Sequence, residues 1–252
     1  MRILISNDDG IHAEGLYALK VALDPLGEVV VVAPERPRSA SGHAITLHKP
    51  VRIEQMAFAD GSIGWACSGT PTDCVTLGVD VVMKGDVDLV FSGINDGPNL
   101  GWDLTYSGTV AAAMEGAMLG VPSVAISVAE TTAHIDYAPA AAFAARLALA
   151  IQKNGLADGL LLNVNVPALP VESIKGVAIT HQGKRQYIDR IHERVDPWGR
   201  KYYWIHGTLK DNGVDLGSDV HQVFEGNISV TPVHLDLTAA TQIETLLSWK
   251  LK

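Results

Sequence analysis

Arg2-Ile3-Leu4-Ile5-Ser6-Asn7-Asp8-Asp9-Gly10 decides how the chain is read. Its apolar run, Arg2 to Ser6, predicts a short buried strand, and the strand stops at once on two adjacent carboxylates and a glycine. Beyond it, Ala13 to Leu26 carries Leu16, Leu19, Leu23 and Leu26 at the spacing of one helical face. Gly27 closes that helix, and Val29 to Ala33 forms a second apolar run halted by Pro34. Strand, helix and strand within about thirty residues is the size of a βαβ unit.

The pattern repeats outward. Asp88 to Phe91, Ser123 to Val128 and Leu160 to Val164 read as strands, with helices predicted over Thr72 to Met83, Gly108 to Leu119 and Tyr137 to Asn154. Near-continuous apolar strands alternating with helices predict a mostly parallel sheet covered on both faces, an α/β doubly wound core over residues 1–170. Residues 171–252 form a C-terminal extension of different texture. His181 to Lys210 holds seven Lys plus Arg against three acids, so it carries +4 while the other 222 residues carry −13. It also concentrates Tyr187, Trp198, Tyr202, Tyr203 and Trp204. Alternation over Tyr187 to Val195 and Lys201 to His206, around Asp196-Pro197-Trp198-Gly199, predicts a β-hairpin arm. Such an arm suits a partner subunit, since Tyr, Trp and Arg dominate interfaces, and it also has the cations and rings that hold nucleic acid. A strand at Asn227 to Thr231 and a helix from Thr238 to Leu251 follow.

Composition narrows the function. With 47% apolar residues in 252 the chain has material for a sizeable core, and a net charge of −9 argues against a general polyanion binder. The longest largely apolar stretch, Ala138 to Ile151, contains Arg146 and falls short of the ~20 residues of a membrane span. The first residues lack a leader pattern, so a cytoplasmic protein is expected. Cys67 and Cys74 lack metal or redox spacing and are expected to be buried thiols.

Four segments carry candidate chemistry. Asp8 and Asp9 follow the first strand, where open α/β sheets bind ligands. Side by side they repel each other, and an oxygen-seeking divalent cation removes that cost; capping and turn formation are the structural alternative. Ser92 to Gly101 offers Asn95, Asp96 and Asn99 on a glycine-rich loop after another strand. Tyr106-Ser107-Gly108-Thr109 enters an alanine-rich helix whose N-terminus suits phosphate, with Ser107 and Thr109 as hydroxyl donors or simply as a cap. Arg36 to Ala44 contributes Ser39, Ser41 and His43; of nine histidines, His43 and His234 stand out. Dinucleotide, phosphate-loop, zinc-protease and nucleophile-elbow motifs are absent from the sequence.

In order, Ile3 to Gly10, Arg38 to His43, Ser68-Gly69-Thr70-Pro71-Thr72-Asp73-Cys74-Val75, Ser92 to Gly101, Tyr106 to Thr109, Asn163-Val164-Asn165-Val166-Pro167 and Ser229-Val230-Thr231-Pro232 resemble the SurE family of 5′/3′-nucleotidases. The resemblance implies a Rossmann-like core and a metal-dependent phosphomonoesterase acting on nucleoside 5′- and 3′-monophosphates, with polyphosphate as a secondary substrate. Attack would be by metal-activated water or assisted by a carboxylate. It implies one divalent cation per subunit, Mg²⁺ or Mn²⁺, on Asp8, Asp9, Ser39 and Asn95. Asp8, Asp9 and Asn95 are then the catalytic set, and Asn99, Ser107, Gly108, Thr109, Ser41 and His43 meet phosphate or substrate. It further implies a homodimer or homotetramer joined through the C-terminal arm, with no membrane and no stable nucleic-acid partner. Val230 to His234 follows the family's strand pattern only loosely. The alternative is a non-catalytic nucleotide- or RNA-binding module, against which the Asp pair speaks, because without a cation it repels phosphate.

Overall fold

The computed structural model describes residues 1–129, 135–210 and 214–251. Strand β1 (Arg2–Ser6) pairs in parallel with β2 (Glu28–Pro34) on one side and β5 (Leu89–Asp96) on the other. The remaining strands of the sheet are β3 (Ile53–Ala57), β4 (Ile63–Cys67), β6 (Ser123–Ala129), β7 (Leu160–Pro167), β8 (Gly176–Ile179) and β13 (Asn227–His234). They line up as β3-β4-β2-β1-β5-β6-β7-β13-β8. Six strands from β4 to β7 are parallel; β3 runs antiparallel at one edge, and β13 runs antiparallel to β7 with β8 parallel to it.

Period-2 alternation in β1 feeds two different cores. Ile3 and Ile5 pack with Phe91, Leu16, Leu19, Leu23 and Phe143 on the face covered by α1 (Glu14–Leu23) and α4 (Ala138–Asn154). Leu4 points the other way, joining Val32, Val90, Cys74 and Ala112 under α2 (Pro71–Leu77) and α3 (Gly108–Met118). Both faces exclude water, which is why these strands read as unbroken apolar runs. Cys67 and Cys74 are free thiols in this second core, as expected.

Boundaries differ from the sequence reading where backbone chemistry intervenes. The first helix ends at Leu23, and Asp24–Leu26 tightens into a 3₁₀ turn around Pro25, whose ring cannot donate to a helical ladder. The second ends at Leu77 and widens over Gly78–Val82, where any Cβ on Gly78 would meet Leu4 Cδ1 at 2.7 Å. At the C-terminus only Ile243–Ser248 (α6) is α-helical, after a 3₁₀ turn at Ala240–Gln242, and no residue of either is buried. Strands β3, β4 and β8 are additions: each is edge-ward and half exposed, so its apolar signal is diluted.

The arm forms as a ladder in two pieces. β10 (Ile191–Val195) pairs with β11 (Lys201–Ile205), while β9 (Tyr187–Ile188) pairs with β12 (Thr208–Leu209) nearer the body. Every residue of β10 and β11 is exposed. The short helix α5 (Asp219–Phe224) leads into β13. Among the described residues no helix is long and apolar enough to cross a membrane.

Candidate active site at the sheet's switch point

At β1 the chain reverses its travel across the sheet: α1 takes it to β2 on one side, and it later returns to β5 on the other. The carboxyl ends of β1 and β5 therefore border the crevice in which doubly wound sheets bind ligands. Asn7 closes the turn after β1, its Oδ1 accepting from Gly10 N at 3.1 Å and its Nδ2 donating to Gly10 O at 3.0 Å. Gly10 has φ +96°, and a Cβ there would meet Arg36 C at 3.2 Å. The turn sends Asp8 and Asp9 to different partners.

Asp8, buried, reaches the start of α3. Gly108 N donates to its Oδ2 at 3.1 Å, and the Thr109 hydroxyl donates to its Oδ1. Thr109 Oγ1 also lies 3.2 Å from Asn95 Oδ1. Asn95 is held by its own Nδ2, which donates to Gly97 O at 2.8 Å and turns its oxygen toward Thr109. Asp9 Oδ2 accepts from Asp96 N at 3.1 Å. Ser107 serves as the N-cap of α3, accepting from Val110 N at 3.1 Å. The loop after β2 closes the site from above: Arg38 N donates to Asp8 O at 2.7 Å, and Gly42 N to Tyr106 O at 3.0 Å. Ser41 Oγ, between them, is buried and has no hydrogen-bond partner; a Cβ on Gly108 would sit 2.8 Å from it. Ser39 is exposed, one residue beyond Arg38.

The structure thus gathers Asp8, Asp9, Asn95, Gly108, Thr109 and Ser41. Two of the remaining residues turn elsewhere. His43 Nε2 lies 2.9 Å from Glu115 Oε2, and Glu115 is seven residues, about 10 Å, along α3 from Gly108. Asn99 is buried in a net: its N donates to Asn165 Oδ1 at 2.8 Å, its Nδ2 donates to Ser127 Oγ at 2.8 Å, and its O accepts from Asn163 Nδ2 at 2.8 Å. His234 pairs in register with Leu160, the first residue of β7, and so stands at the opposite edge of the sheet.

Electrostatically the site is unbalanced. Burial, and then the charge of Asp8, push the Asp9 carboxyl up to about 6; burial also raises Asp8, against the bonds from Thr109 and Gly108 that favour its charged form. Among the described residues no ion pair neutralises either one. The Asp8 and Asp9 carboxylates and the Asn95 amide oxygen are hard oxygen donors of the kind that Mg²⁺ and Mn²⁺ take. The residues present therefore fit such an ion.

The sequence reading missed what holds the loop from outside. Asp219, fully buried on α5, accepts from Gly101 N at 2.8 Å, Gly183 N at 2.8 Å and Val220 N at 2.7 Å. Burial raises its carboxyl despite those bonds. Nothing in Gly217-Ser218-Asp219 distinguishes this from a simple N-terminal helix acid. Asn163 and Asn165 did carry a signal: two polar residues with no place in an apolar strand unless something beyond the strand needs them.

The model of a family described as survival protein SurE matches residues 3–189. A protein named 5′-nucleotidase SurE from Geotalea daltonii is 49% identical over 252 residues, covering 100% of both chains. One of the same name from Synechococcus sp. is 48% identical over 255 residues, covering 100% of this chain and 98% of the other. The crystal structure of the SurE protein from Aquifex aeolicus superposes with a TM-score of 0.87 at 40% identity and full coverage of both chains.

Proposed function

The chain belongs to the survival protein SurE family, and from its relatives' activity and its own site we infer that it is a 5′-nucleotidase, hydrolysing nucleoside monophosphates to nucleoside and phosphate. The observation that carries this reading is the Asp8 carboxylate lodged on the first N–H of α3 with Asp9 beside it. An anion-binding helix end that already holds the Asp8 carboxylate, with the Asp9 carboxylate next to it in sequence, accepts a phosphate dianion only when a cation balances them. Asp8, Asp9, Asn95 and Ser39 would hold one Mg²⁺ or Mn²⁺ per subunit. Such an ion supplies Lewis acidity, offsetting phosphate charge and lowering the pKa of water.

The chain's own groups do the rest. Ser41 Oγ, buried and without an acceptor, is placed to donate to a phosphate oxygen beside Gly108. Thr109 moves its hydroxyl between Asp8, Asn95 and the phosphate, and the α3 N-terminus favours negative charge on the non-bridging oxygens as it spreads in the transition state. Ser107 keeps its hydroxyl proton while its oxygen caps the helix, so it too can donate. Asn99 acts from behind, fixing the loop that carries Asn95, and His43 ties the Ser39–Ser41 loop to Glu115.

Phosphate release from AMP, its 3′ isomer and tripolyphosphate, with Mn²⁺ and with EDTA, tests the activity. Release from AMP that depends on the metal is expected; nucleotide binding without turnover in Mn²⁺ would leave the non-catalytic module instead.

The exposed β10–β11 hairpin presents Trp198, Tyr202, Tyr203, Trp204 and Ile205, and we assign it to assembly with further copies of the chain. His206 N donates to Arg190 O at 2.8 Å, so the two ends of the hairpin already meet. Replacing Ile191–Ile205 by a short Gly-Ser turn is expected to reduce the oligomer measured by sedimentation velocity. An unaltered sedimentation coefficient, beyond the lost mass, would remove the arm from the interface.

A further inference from the structure

Between the helical turn Gly101–Thr105 and the root of the arm lies a cleft of about 320 Å³. Trp102 and Tyr106, residues 43% and 67% exposed, line it. Asp103 forms its floor with the Tyr187 hydroxyl, which donates to Asp103 Oδ2 at 2.6 Å, and with Arg185 Nη1, 3.0 Å from the same oxygen. Those three groups satisfy one another. Arg190 and Lys210 also line the cleft, and neither pairs with a carboxylate among the described residues. The lining thus holds three cations against one carboxylate in a chain of net charge −9.

This cleft is built onto the site. Tyr106 precedes Gly108 by two residues, a separation of at most about 7.6 Å between Cα atoms, and Gly108 N is bonded to Asp8. The turn is also anchored: Gly101 N donates to Asp219, and Gly101 O accepts from Gln182 Nε2 at 2.9 Å. Exposed rings that stack any base, together with unpaired cations that meet backbone phosphate, are how single-stranded nucleic acid is held. A second groove, about 460 Å³ between Tyr17, Phe58 and Tyr137 on the α1 face, is lined by Glu14 and by neither Lys nor Arg. It suits a base but not a second phosphate.

Resting on the nucleotidase reading, we propose that the arm-root cleft extends the substrate range to short 5′-phosphorylated oligonucleotides. A base stacks on Trp102 or Tyr106, and the next phosphate lies between Arg190 and Lys210. The reaction is unchanged: water oxygen bonds to the terminal phosphorus, the P–O5′ bond breaks, and the leaving 5′ oxygen takes a proton, so that pApA and water give ApA and phosphate.

The test compares kcat/KM for pApA, AMP and tripolyphosphate in wild type, Trp102→Ala and the double variant Arg190→Ala/Lys210→Ala. Wild type is expected to prefer pApA to AMP. The double variant is expected to lose about tenfold on pApA, the scale of one lost bond to a charged group, and less than twofold on AMP, the AMP rate also reporting that it has folded. A wild type that turns over AMP but favours it over pApA overturns the proposal while leaving the nucleotidase intact; no turnover of any nucleotide fails the nucleotidase reading itself. If the double variant weakens tripolyphosphate as much as pApA and Trp102→Ala changes neither, the cleft reads phosphate alone and the oligonucleotide assignment falls.

Discussion

Asp9→Asn is expected to slow Mn²⁺-dependent AMP hydrolysis by at least about 10³-fold, the several kcal/mol that a correctly held metal contributes to a charged transition state. Isothermal titration should give correspondingly weaker Mn²⁺ binding. The same variant reports on the unbalanced charge of the site. In the folded protein the Asp9 carboxyl is pushed up to about 6, mainly by burial and then by Asp8, whereas unfolded it titrates near about 3.9. Between those values the folded state binds more protons than the unfolded one. Without a cation, the Asp9 contribution to stability is therefore most favourable below pH ~4 and declines as pH rises through about 6. Asp9→Asn abolishes that decline. In EDTA at pH 7.5 it should be more stable than wild type by on the order of 2 kcal/mol, with the two curves converging at pH 4. Wild-type activity in the variant, or denaturation curves that stay parallel from pH 4 to 7.5, would remove Asp9 from the metal site.

Gly108→Ala is expected to cost about 10²-fold in kcat/KM, the scale of a 1 Å misplacement at a reacting centre. Gly108 does not need glycine for its backbone angles; it needs space. An added Cβ would lie 2.7 Å from Asp8 Cβ, 2.8 Å from Asp8 Oδ2 and 2.8 Å from Ser41 Oγ. The methyl must displace the carboxylate or the loop above it. Alanine at the start of α3 is no worse a helix former, so the thermal midpoint should move by only a few degrees. Kinetics within threefold of wild type would mean that Asp8 does not act from the position described.

Much of this is legible in the sequence. The run from Ile3 to Ser6, short, apolar and halted by Asn7-Asp8-Asp9-Gly10, together with the leucines of α1 and the stops at Gly27 and Pro34, points to a βαβ start, because a strand covered on both faces accepts Ile, Leu and Ile in succession. The edge strands β3, β4 and β8 escaped because half-exposed strands carry no continuous apolar run. The terminal helix is shorter than its pattern: Ile243–Ser248 is helical, but Ile243, Leu246 and Leu247 stay exposed, so no burial extends the helix to the Thr238 and Leu251 ends that the spacing predicts.

The sequence by itself determined the chemistry of the site: which strand ends in paired carboxylates, which loop carries Asn95, and which helix begins Ser107-Gly108-Thr109. These are local facts, set by residue type and by the period of the neighbouring apolar positions. Only the tertiary structure decided which of the candidates meet. Asp8 finds Gly108 and Thr109 across a hundred residues because β1 and β5 are neighbours at the switch point; His43 is drawn off to Glu115; and Asp219, unremarkable in the sequence, becomes the clamp on the loop. Long-range pairing depends on strand order and on which buried donors lack acceptors, and neither quantity is written in any short segment of chain.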